Sequence, residues 1–136
     1  MEANWIKNIS AIIGGLAAYL WGAWDAFIQV LVAVVVIDYI TGVAKAAIKK
    51  ELDSAVGFIG LLKKIAIFLI VALAVLIDKA IPGINGAARS ATIMFYIANE
   101  GISILENIGL MGVPLPAGLQ KWLAKLKDDA EQDIGE

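Results

Sequence analysis

The side chains best placed to do chemistry lie between residues 89 and 107: Arg89, Thr92, Tyr96, Asn99, Glu100, Ser103, Glu106 and Asn107. At 100° per residue they share about a third of a helix circumference, while Ile93, Phe95, Ile97, Ala98, Ile102, Ile104, Leu105 and Ile108 take the rest. Carboxylates, amides and hydroxyls on one stripe can bind water, hold ions or pair with other polar groups. A carboxylate left against lipid costs several kcal/mol at mid-depth, so the stripe must face protein or water. Three arrangements satisfy that condition. The stripe lines an aqueous lesion after copies of the chain assemble, or it packs against polar groups of neighbouring helices, or the helix lies flat on a membrane surface.

Asp38 is the second candidate, the only charge between Ala26 and Ala44, with Thr41 and Gly42 close behind. Lys45 is seven positions away, roughly 10 Å along a helix axis, and no basic residue of another segment is expected at the depth of Asp38. Its carboxyl is therefore expected to be hydrogen-bonded and protonated. It serves either as a polar contact fixing helix register or in a gating, proton-sensitive role. The pore-lining or gating candidates are thus Asp38, Thr41, Asn99, Glu100, Ser103, Glu106 and Asn107.

Catalysis has little to work with. The chain has no Cys and no His, which removes thiol chemistry, disulfides, the usual zinc sites and an imidazole base. No phosphate loop and no nucleophile beside a base is visible. Neither a catalytic residue nor a cofactor or metal site is expected. The net charge of −2 argues against nucleic acid as a partner, since phosphate binding needs a concentrated basic surface.

The elements that must position these residues are apolar. Hydrophobic residues make up 60% of the 136, charged ones 18%, and the mean hydropathy is +0.82, more apolar surface than one water-soluble domain of this size can cover. A single all-α membrane domain is expected, with spans at about 8–24, 26–48, 63–81 and 90–111. The first is bracketed by Trp5 on one side and Trp21 and Trp24 on the other, residues that favour the headgroup layer. Those same tryptophans, with Asp25, stand where a cleaved signal peptide needs small residues, so the segment reads as a retained helix. Ala26 to about Ile48 follows with almost no loop, making a helical hairpin. The third segment, Ile65 to Ile77, is lengthened by snorkelling of Lys63, Lys64 and Lys79 and ends at Pro82-Gly83. After Gly112, Pro114 and Pro116, the recurrence of Leu115, Leu119, Trp122, Leu123 and Leu126 predicts an amphipathic interfacial helix over about 117–128, followed by an acidic, solvated tail over 128–136.

Orientation follows from basic residues. Lys45, Lys49, Lys50, Lys63 and Lys64 fall in one connection against Lys79 and Arg89 in the next, which places the first on the cytoplasmic side and in contact with anionic lipid. With four spans, Lys7 and Lys121 to Lys127 also lie inside. If the first or fourth segment does not cross, three spans remain. Gly14, Ala18 and Gly22 recur every four residues, a ridge that would let another helix approach closely. It serves either self-association or packing within the chain.

Taken together, Ile37-Asp38-Tyr39-Ile40-Thr41-Gly42-Val43, the Ser54-x-x-Gly57-x-x-Gly60-Leu61-x-Lys63-Lys64 stretch, and Phe95 to Asn107 with Gly109, Gly112, Pro114 and Pro116 resemble the phage holin family of prophage lysis and toxin-secretion cassettes. The resemblance runs from about Trp5 to Lys127. It implies a multi-pass protein of the bacterial cytoplasmic membrane whose homo-oligomers open lesions at a set time, letting an endolysin or toxin cross. Within that family an antiholin partner, or an antiholin role for the chain itself, is the alternative. Outside it, a small channel or transporter subunit unrelated to lysis, or a membrane scaffold without a pore, remains open.

Overall fold

The computed structural model describes residues 2–135. They form five α-helices and one short 3-10 turn: α1 Glu2–Trp21, α2 Ala26–Ile48, α3 Ser54–Ala80, the turn Pro82–Ile84, α4 Ala87–Leu110 and α5 Ala117–Gly135. No strand occurs among the described residues.

Each boundary has a local cause. Gly22 takes φ +79°, a left-handed conformation that ends α1 at Trp21, short of the expected residue 24. Asp25 caps α2 by accepting from Ile28 N at 3.1 Å, and Asp53 caps α3 by accepting from Ala55 N at 2.8 Å and Val56 N at 3.3 Å. That second cap moves the start of the third helix to Ser54, well before the expected residue 63. Lys63 and Lys64 thus sit inside a helix of 27 residues, about 40 Å long, and the loop after α2 shrinks to residues 49–53. α5 likewise continues past residue 128, so the acidic stretch is helical as far as Gly135, while Glu136 lies outside the described residues.

The core joins three helices. Ile28, Leu31 and Val35 of α2, Ile67 and Val71 of α3 and Ile93 of α4 are buried against one another, with Trp21, Phe68, Tyr96 and Ile97 around them. The spacing along α2 and α3 is the three-to-four-residue recurrence of a helix face. Leu31, Val71 and Ile93 are the largest side chains with no exposure.

The outward faces are also apolar. Val36, Ile37 and Ile40 of α2 and Leu69, Leu73 and Leu76 of α3 are exposed. Only 22% and 28% of the most apolar windows of these helices are buried, at mean hydropathies of 2.2 and 2.5. A helix at the centre of a water-soluble protein hides such residues. These two turn them outward, and both are long and apolar enough to cross a membrane.

The end of α1, the start of α2, the end of α3 and the start of α4 meet at one end of the molecule. Arg89 binds the α1–α2 turn, Asp78 accepts from the backbone N–H groups of Ala88 and Arg89 at 2.9 Å each, and Lys79 donates to Tyr19 O at 2.6 Å while lying over its ring. α5 does not extend across an end of this bundle. It turns back and packs antiparallel along α4, Leu115 against Gly109 and Leu123 against Gly101. An added Cβ at either glycine would come within about 3.1 Å of the facing leucine, so the absent side chains are what let α5 sit this close.

Candidate functional site

The polar residues of three helices converge on one buried cluster. Lys64 of α3 forms ion pairs with Asp38 of α2 and, at 2.6 Å, with Glu100 of α4. Asp38 and Glu100 are only 5% and 3% exposed. Asn107, two helical turns beyond Glu100, donates from Nδ2 to Asp38 Oδ1 at 3.0 Å and to Thr41 Oγ1 at 3.1 Å. Thr41 in turn donates to the backbone carbonyls of Ile37 or Asp38, at 2.9 and 3.0 Å. No buried side-chain N or O atom among the described residues is left without a partner. That is the condition under which buried polar groups specify one packing rather than disrupt it.

The site opens toward the α2–α3 turn. A cavity of about 350 Å³ runs from Asp38, Lys64, Ser103 and Asn107 to Lys45 and Asp53. Its wall is kept thin by glycine: Tyr39 lies across Gly57 and Gly60, donating its hydroxyl to Gly57 O at 3.3 Å. On the other side the Leu31, Val71 and Ile93 core closes the bundle. The arrangement can hold charge and water from one end, and the apolar core lies at the other.

A basic residue does stand level with Asp38: it is Lys64, expected at the cytoplasmic surface with Lys63 but paired with Asp38 inside the bundle. The reason is helical phase: residues 57, 60, 64, 67 and 71 recur at three and four, so Lys64 shares the inward face of Gly57, Gly60, Ile67 and Val71, whereas Lys63 points out and is exposed. Asp38 therefore has an ionic partner, removing the ground for expecting it to be protonated in isolation. Lys49 and Lys50 are exposed and Lys45 is half-buried at the rim of the cavity.

The stripe of α4 divides. Glu100 and Asn107 are buried in the cluster, Ser103 borders it, Asn99 is half-buried, and Glu106 is exposed in the groove toward α5, near Gln120. Arg89, at its head, lies in a second cluster. Its guanidinium donates to Asp25 Oδ2 at 2.8 Å and Oδ1 at 3.2 Å, to Trp21 O at 2.8 Å and to Ala23 O at 3.1 Å. This pairing, with the Ile28 N–H, holds the Asp25 carboxyl below its ordinary 3.8.

The small-residue ridge of α1 also divides. Gly14 and Ala18 are exposed and border a groove of about 400 Å³ with Trp21, Ile28, Val32 and Phe68, and a Cβ on Gly14 would meet nothing within 4 Å. Gly22 lies beyond the helix, in the left-handed turn, where a Cβ would come within 3.0 Å of Arg89 Nε. It is a turn residue, so the ridge within α1 is Gly14 and Ala18.

The profile of the bacteriophage holin family matches residues 15–128. A probable holin of Bacillus phage phi105 is 41% identical over 115 residues, covering 85% of this chain and 84% of that protein. An uncharacterised protein of Halalkalibacterium halodurans is 40% identical over 133 residues, 95% of this chain and 98% of its own length. Another, from Listeria monocytogenes, is 43% identical over 123 residues, 88% and 87% of the two lengths. No solved structure matches the chain.

Proposed function

Because the chain belongs to the bacteriophage holin family, we propose that it is a holin, assembling with further copies in the bacterial cytoplasmic membrane into lesions that pass an endolysin or toxin to the cell wall. α2 and α3 supply two spans. α1, 20 residues long and studded with exposed Ile9, Ile12, Ile13 and Leu16, and α4, 24 residues long, supply the others. The 49–53 loop then faces the cytoplasm, where Lys45, Lys49, Lys50 and Lys63 meet anionic lipid.

The observation that carries this reading is the Asp38–Lys64–Glu100 cluster, set in the interior of three helices whose outer surfaces are apolar. Charges taken out of water in that way seldom add stability over an apolar core, and their value lies in fixing one packing that fails when a partner is lost. The cluster acts as a latch. With it closed, the polar stripe of α4 is satisfied inside the chain and the protein accumulates without leaking. Association through Gly14 and Ala18 of α1 brings copies together, and opening of the latch frees the helices to rearrange into the lesion.

Inducible expression in a bacterium, with and without a co-expressed endolysin, tests the proposal. Abrupt loss of membrane potential in both cultures at a set time, with lysis in the endolysin culture alone, is expected. Sustained membrane potential and growth in both would refute it.

A further inference from the structure

The outer face of α5 has no counterpart elsewhere in the molecule. α5 follows α4 along nearly its whole length, from Leu115 at Gly109, through Lys127 with its Nζ 5.6 Å from the Phe95 ring, to Asp133 and Ile134 bordering Ala88 and Thr92. Its inner side is apolar, with Leu123 on Gly101 and Ala130 fully buried. Its outer side exposes Lys121, Lys125, Asp128, Asp129 and Glu131, with the ring of Trp122, 80% exposed, among them. α4 is thus a middle layer, packed on α2 and α3 by one side and on α5 by the other. The two outer surfaces differ in character: isoleucine, leucine and valine cover α2 and α3, whereas charged side chains predominate on α5 around the single exposed ring of Trp122.

That asymmetry decides what each surface can touch. If α4 crosses the bilayer, α5 crosses beside it, and five charged side chains stand at depths where lipid rejects them. One chain alone in lipid cannot offer α5 water there. Several copies arranged with α2 and α3 outward can, because their α5 faces then surround a common space. We propose that α5 stays on α4 in the assembled lesion and that Lys121, Lys125, Asp128, Asp129 and Glu131 form the wall of its water-filled lumen. This inference rests on the holin reading, and it deepens it by assigning the lumen surface to α5, while the buried stripe of α4 serves as the latch behind it. It also puts Asp133 at the face of the membrane where α4 begins, opposite the 49–53 loop.

The chain has no cysteine, so introduced thiols report alone. The full-length protein carrying Gly101→Cys and Leu123→Cys is purified, reconstituted into phosphatidylglycerol-containing vesicles loaded with a fluorescent dye, and joined α4 to α5 by oxidation or a short bifunctional thiol reagent. Dye release by the linked protein within twofold of wild type is expected. In the linked protein a third cysteine replacing Lys125 should react with an aqueous, impermeant thiol reagent at least tenfold faster than one replacing Leu76 on α3. Gly109→Cys with Leu115→Cys provides a second link should the first pair not fold. A linked protein whose release falls more than tenfold below its unlinked form, or whose position 125 reacts no faster than position 76, overturns the assignment while the release by wild type stands. Absence of release from wild type itself overturns the holin reading, and this inference with it.

Discussion

Replacing Lys64 with Met removes the ammonium and keeps an unbranched stem of similar reach, so the change falls on charge rather than packing. Lys64 joins Asp38 and Glu100, and its side chain is 18% exposed against 6% and 4% for theirs. At an effective dielectric near 20 the 2.6 Å contact to Glu100 amounts to about 6 kcal/mol before desolvation is set against it. What the variant loses is governed by the two carboxylates left behind. Stranding a buried charge of this kind costs about 3–5 kcal/mol, on the order of 10² to 10³ or more in the folded population. Lys64→Met should therefore unfold in mild detergent at clearly lower denaturant than wild type, followed by tryptophan fluorescence, and should open lesions earlier in cells. The triple variant Asp38→Asn, Lys64→Met, Glu100→Gln removes all three charges and keeps the shapes, and it should recover to within about 1–2 kcal/mol of wild type. If Lys64→Met alone unfolds within about 1 kcal/mol of wild type, or the triple variant is no better than the single one, the cluster does not hold the helices in register.

Other outcomes follow from the second cluster and the glycines. Gly22→Ala should destabilise by about 1–2 kcal/mol, because φ +79° is strained for a residue with a Cβ and Arg89 stands in the way, whereas Gly14→Ala should cost nothing; thermal unfolding in micelles compares them. Gly14→Leu should therefore report on assembly without damaging the fold, and an unchanged ladder of crosslinked oligomers would remove Gly14 from the contact. The carboxyl of Asp25 is lowered by Arg89, so the stability this pairing contributes is present above the ordinary carboxylate value of 3.8 and is lost as pH falls through the lower folded value. An acid titration should show that loss in wild type and not in Arg89→Gln. A thiol placed at Ser54 should resist an impermeant reagent on intact cells before triggering, while one at Asn85 should be labelled, and the reverse would invert the topology.

The helical class and the two most apolar segments were legible in the sequence because hydropathy and length alone decide them. So was the gathering of Glu100, Ser103 and Asn107 on one face of α4, which needs only the 100° period. What they touch was not legible, since a period gives the face of a helix and not its neighbour. Lys64 shows the limit most clearly. Beside Lys63 it looks like the end of a hydrophobic run, and only the longer frame set by the Asp53 cap, reaching back to Gly57 and Gly60, puts it in phase with Ile67 and Val71. Gly22 is the converse. Its spacing from Gly14 and Ala18 fits a helix, yet Gly22 itself ends that helix. The fold-back of α5 onto Gly101 and Gly109 is a tertiary contact for which the leucine spacing gives a face but no partner.

As a holin, this chain should open, with further copies, a passage wide enough for a folded protein. Purified protein reconstituted into vesicles holding both a small dye and an active murein hydrolase measures that directly. Once assembly begins, dye and hydrolase should escape together, the hydrolase detected by its activity outside the vesicles. Escape of the dye with the hydrolase fully retained would refute the holin reading and leave a small channel in its place, and retention of both would leave no passage at all.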